Sequence, residues 1–208
     1  MNSKKNIFAL LGGIFLMVAG TILLINNAIS IIRGISYYSN PLNLLTASVN
    51  IHVYILIILG GLFLMLRKMK PASIMLIIAA SLCLITLGMN VIRTAKYSGT
   101  GINVAKNIGT SLLFMLSFLF LGIGLCLKRT GALVMCMIAA GCRFIWLFVA
   151  YIGATRFTAM MIFAILAALL HITAAVFAGL YLSGKGDEVP VGSYDYGAGN
   201  YGDYNTRF

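Results

Sequence analysis

Across residues 1–186 the chain contains neither Asp nor Glu; its four acids, Asp187, Glu188, Asp195 and Asp203, all lie near the C-terminus. That absence removes several chemistries. An aspartyl dyad, the glutamate of a zinc HExxH helix and the several Asp of a CDP-alcohol transferase cannot be built from such a body, and the GxSG of rhomboid-type proteases is also missing. Proton- and cation-coupled transport normally places a carboxylate inside the membrane, so it too is disfavoured. The chain is expected to be non-enzymatic.

Other scarcities point the same way. Only 9% of the residues are charged and 61% are hydrophobic, against about a quarter charged in soluble domains. With a mean hydropathy of +1.01, a soluble fold would need a far larger core than 208 residues can enclose. The four cysteines, Cys83, Cys126, Cys136 and Cys142, fall in apolar stretches without a CxxC pair. They read as small packing residues, and neither a metal site nor a cofactor is expected. There is a single tryptophan, Trp146, and there are only two histidines. His52 reads as a boundary residue beside Tyr54.

What remains is a series of long apolar runs. About 20 helical residues cross the roughly 30 Å of a bilayer core, and the runs suggest six spans: Ile7 to Asn27, His52 to Leu66, Ser73 to Ile92, Thr110 to Leu127, Gly131 to Gly153 and Thr158 to Leu182. The expected fold is all-α, a polytopic membrane protein with a six-span domain over residues 1–183 and a cytoplasmic tail over 184–208. Residues 34–50 and 94–109 read as the two long loops. A recurrence supports a repeated plan. Ile32-Arg33 with Tyr37 returns sixty positions later as Ile92-Arg93 with Tyr97, and Leu66-Arg67-Lys68 returns as Leu127-Lys128-Arg129. The body then reads as three helical hairpins, with chance likeness between apolar spans as the plain alternative.

Fifteen Lys and Arg give a formal net charge of +11. Most stand singly or in short clusters between the spans, the pattern of headgroup contact, and nucleic acid is not an expected partner. Bases gather at Lys4-Lys5, Arg67-Lys68-Lys70 and Lys128-Arg129, which places both termini in the cytoplasm of a plasma-membrane protein. The tail, rich in Gly, Tyr and Asp, has no apolar face to bury and reads as flexible. Tyr194, Tyr196, Tyr201 and Tyr204 are its candidate partner-binding residues.

Two polar groups interrupt the spans. Arg143 sits near the middle of the fifth, where a charge costs roughly 2.5–3.5 kcal/mol and marks a functional site by default. Its neighbours at helical spacing, Cys136, Ala139, Ala140, Leu147 and Ala150, are mostly small, so that face should pack on other helices. His171 lies on a similar stripe of Ala164, Ala168, Ala175 and Ala178. Because the fifth and sixth spans are joined by a short turn, the two residues should lie at similar depth. They form the candidate site for a small anionic ligand or a lipid headgroup. The leading expectation is a transport-type or ligand-binding membrane subunit. The alternative is an accessory subunit or oligomeric pore that packs on a membrane partner, or on copies of itself, and recruits a cytoplasmic protein through its tail.

Overall fold

The computed structural model describes residues 3–34, 40–96, 101–152 and 158–183, and the long elements among them are all α-helices. They run α1 Ser3–Arg33, α2 Pro41–Met65, α3 Met69–Lys96, α4 Gly101–Leu127, α5 Thr130–Ile152 and α6 Ala159–Leu182. All six are long and apolar enough to cross a membrane. At 1.5 Å rise per residue the helices are roughly 35–46 Å long, so their ends extend beyond the hydrocarbon.

Two helices start about two or more turns earlier than the sequence suggests. α2 begins at Pro41, well before His52 and inside the stretch 34–50 expected to be the first long loop, because Asn40-Pro41 is a helix start. The Asn40 side chain accepts a hydrogen bond from the Leu42 N–H at 3.0 Å, and Pro41 occupies the first turn, where its missing N–H costs nothing. α4 likewise begins at Gly101, inside the stretch expected to be the second long loop.

The helices stand in chain order as a ring. Each packs on its sequence neighbours, α1 closes against α6, and α4 also reaches α6. The α1–α6 seam carries Phe15 stacked on Phe177, with ring centroids 5.6 Å apart. Short connections make neighbours antiparallel, so the two basic turns, 66–68 and 128–129, share one end of the ring with the start of α1 and the finish of α6. We call that end the turn end and its opposite the loop end.

The turn-end half is packed mostly with apolar side chains. Leu64, Leu76, Leu121, Leu125, Leu133 and Ala178 are completely or almost completely buried there. Outward faces are apolar: Ile14, Ile25, Leu84, Ile138, Ile145 and Ile162 are exposed, as a lipid-facing surface requires. Lipid tails are as apolar as leucine, so helix association rests on close fit and not on dehydration. Small residues supply that fit. Ala79, Ala80, Ala139, Ala140, Ala174 and Ala175 are buried between helices. At Gly13 and Gly61 the backbones of α1 and α2 nearly touch: a Cβ on Gly13 would lie 2.6 Å from the Gly61 carbonyl oxygen, and one on Gly61 2.8 Å from that of Gly13. In the next hairpin, a Cβ on Gly122 of α4 would lie 3.2 Å from the Ser73 carbonyl oxygen of α3.

The two basic turns share one geometry. Arg67 and Lys128 both have positive φ, 60° and 51°. After each, the next N–H reaches back five residues, Lys68 to Phe63 at 2.8 Å and Arg129 to Gly124 at 3.1 Å. This is the Schellman helix ending, whose left-handed position normally takes glycine. Placing Arg and Lys there costs roughly 1–2 kcal/mol of steric strain each.

Candidate polar cavity

Four helices bring polar stripes or single polar groups to the loop-end half of the ring, and a fifth adds a charge. On α2 the stripe is Asn43, Thr46, Asn50 and Tyr54; on α3 it is Cys83, Thr86, Asn90 and Arg93. Both repeat every three or four residues, so each occupies one helix face. α1 adds Asn27, α4 adds Thr110, Ser111 and Phe114, and α5 adds Arg143. Together they line a cavity of about 290 Å³.

Polar side chains in this setting must satisfy one another, since lipid offers no partners. Thr86 Oγ1 donates to Asn50 Oδ1 at 3.1 Å, joining α3 to α2. Asn90 Nδ2 donates to Ser111 Oγ at 2.7 Å, joining α3 to α4. Asn27 Nδ2 donates to the Ala47 carbonyl at 3.2 Å, joining α1 to α2. These cross-links hold the wall in place without using a charge.

Arg143 stands two residues past the centre of the 23-residue α5 and is 6% exposed. Its guanidinium carbon lies 4.2 Å from the centroid of the Phe114 ring, which it covers. This cation–π contact holds the guanidinium against the ring face. Tyr54 meets the same ring edge-on, with centroids 6.4 Å apart. The small neighbours expected around Arg143 are in place, with Cys136, Ala139, Ala140 and Leu147 buried. Arg93, near the end of α3, provides a second cation, which its place in the sequence does not distinguish from an ordinary span-end charge.

His171 is placed differently. It is 1% exposed and does not line the cavity. Its ring stacks on Phe118 at 4.1 Å with planes 16° apart, and its Nε2 lies 4.0 Å from Cys136 Sγ. Phe118 in turn meets Phe114 edge-on at 4.8 Å. The two candidate residues are thus linked through a pair of phenylalanines one turn apart on α4, the arginine on the cavity side and the histidine in the buried core. Replacing His171 by Phe, which preserves a ring against Phe118, is expected to leave affinity for a cavity ligand within about threefold. A loss as large as that from changing Arg143 would instead put the imidazole in contact with the ligand.

Tyr194, Tyr196, Tyr201 and Tyr204 lie outside the described residues. His52, expected at a boundary, lies within α2, and its Nδ1 is 2.8 Å from the Ser48 carbonyl oxygen. Among the described residues, no three His, Cys, Asp or Glu side chains gather as a metal site. No protein-family model matches the chain, and neither a curated protein nor a solved structure resembles it significantly.

The asparagine and threonine stripes are the signal in the sequence that the expected site leaves out. Asn43, Thr46 and Asn50 fall in the stretch expected to be a loop, where polar residues are unremarkable. Thr86 and Asn90 fall within an expected span, at the spacing of one face.

Proposed function

We propose that the protein is a non-enzymatic membrane subunit of the transport or ligand-binding type, whose cavity takes a small anion. Arg143 is the principal anion-binding group, Arg93 the second, and the Asn, Thr and Ser side chains are the neutral donors around them. The carrying observation is a polar cavity whose described lining holds two arginines and no acid, and which reaches a charged residue near the middle of a span. A volume of about 290 Å³ stands at the lower edge of ligand pockets, which run roughly 300–1,000 Å³, and so favours a carboxylic acid or phosphate ester of modest size. The guanidinium fork matches two oxygens of either group. An accessory subunit would call for a sealed, dry interior at this depth. His171 supports the Phe118–Phe114 pair behind Arg143.

The test is direct. The purified protein is screened by thermal shift and native mass spectrometry against a panel of small carboxylates, phosphates and their uncharged amides or alcohols. At least one anion should raise the melting temperature and give a one-to-one adduct, while its neutral analogue does neither. Equal response to both members of every pair would defeat the reading.

We further read the chain as a plasma-membrane protein with cytoplasmic termini, built as three hairpins, whose tail tyrosines contact a cytoplasmic partner. The clustering of bases at the turn end supports the orientation. The hairpin plan is supported by the matched turns at Arg67 and Lys128 and by the matched close approaches at Gly61 and Gly122. In a background lacking the four native cysteines, Asn40→Cys and Asn103→Cys should label from outside intact cells. Met69→Cys and Arg129→Cys should label only after permeabilisation. The reverse pattern would invert the orientation.

A further inference from the structure

The turn end carries a second concave site, separate from the polar cavity. Arg67 and Lys68 from the α2–α3 turn, Lys70 from the first turn of α3 and Lys128 from the α4–α5 turn line a cleft of about 540 Å³, bordered by Tyr181 near the end of α6. Among the described residues, no acid accompanies the four bases. The Schellman endings bring this about. Two helices stop at equivalent points, and each carries a base at the left-handed position, where glycine would be less strained.

The cleft lies where α2, α4 and α6 finish and α3 and α5 begin, which is headgroup depth for helices of this length. Bases scattered on a surface attract anionic lipids without choosing among them. A concave arrangement lined by cations from two separate turns favours one compact, multiply charged group. Arg67 offers a bidentate fork and the three lysines offer point charges, the usual means of holding phosphate oxygens. A phosphodiester carries one negative charge; a phosphomonoester carries close to two at neutral pH and answers four bases better.

We propose that this cleft binds a phosphomonoester or pyrophosphate group, presented by a lipid headgroup or by a soluble ligand.

The full-length protein in detergent is titrated, at physiological salt, with phosphatidylinositol 4-phosphate, phosphatidylglycerol or phosphatidylcholine and followed by native mass spectrometry. Inorganic pyrophosphate is tested in parallel, alone and as a competitor. The phosphomonoester lipid should give a single saturating adduct at least about tenfold tighter than phosphatidylglycerol. The double variant Arg67→Gln/Lys128→Gln should lose about tenfold or more of that affinity, and Lys68→Gln/Lys70→Gln serves if the first pair fails to fold. Lys4→Gln/Lys5→Gln removes the same charge from the same end and should change the affinity less than about twofold. Pyrophosphate that binds and displaces the lipid at similar concentration assigns the site to a soluble ligand, whereas binding of the lipid alone assigns it to the membrane. The proposal is overturned by equal affinity for phosphatidylglycerol, by equal losses in the cleft and Lys4/Lys5 variants, or by binding that emerges only after residues 187–208 are removed. The last result would make the tail the occupant.

Discussion

Replacing Arg143 by Met is expected to leave the protein inserted and folded while lowering affinity for an anionic cavity ligand by about 30- to 1,000-fold, the loss of roughly 2–4 kcal/mol of charge-assisted hydrogen bonding. Two effects separate in this substitution. Methionine is far cheaper than arginine near the middle of a span, so the empty protein should melt no lower than the native one. The ligand, by contrast, loses the cation that is 6% exposed at the cavity wall and held over the Phe114 ring. Arg143→Lys retains the charge but not the planar fork and should recover binding only in part. Equal thermal-shift affinities for the Arg143→Met variant and the native protein would remove Arg143 from the site, and with it the functional reading.

The other large effect is structural. Gly61→Val should lower the melting temperature in detergent by about 5 °C or more, or prevent a folded protein from accumulating. The reason is the crossing of α1 and α2, where a Cβ on Gly61 would stand 2.8 Å from both the Gly13 carbonyl oxygen and the Met17 backbone nitrogen. Backbone atoms cannot turn aside as a side-chain tip can, so the helices must separate along the crossing. Gly88→Ala is the control, since nothing lies within 4 Å of a Cβ at that position. It should be neutral or stabilising, because Ala favours helix over Gly by about 1 kcal/mol. Matching shifts for the two variants would show that helix propensity, and not close packing, governs these glycines.

The six spans are plain in the sequence, because the apolar runs and the basic turns between them are set by the thickness of a bilayer. Arg143 is equally plain, since its cost in an apolar span draws attention wherever the helix points. The remaining cavity residues are obscured by a helix boundary. Asn40-Pro41 has the composition of a turn, yet in α2 it caps a helix, so a wall of the cavity has the look of a loop. His171 shows a different limit. Connection length fixes its depth relative to Arg143, but the face each helix turns inward depends on rotation about its axis. That rotation is set by neighbours such as Phe118, which lies in the ring contact with His171 and is distant in sequence from both.

The ring closes between its first and last members, and this has a consequence for synthesis. α1 ends at Arg33 and α6 at Leu182, so about 150 residues separate their completion, roughly 7–30 s at ribosomal speeds of ~5–20 residues per second. Through that interval the face of Phe8 and Phe15 that later meets Phe177 lies against lipid or an insertion factor. α1 and α2 can pair early, held by Gly13 and Gly61, but no enclosed interior exists until α6 arrives. A nascent chain stalled before residue 159 would therefore hold an open arc of five helices, with Phe15 facing the bilayer.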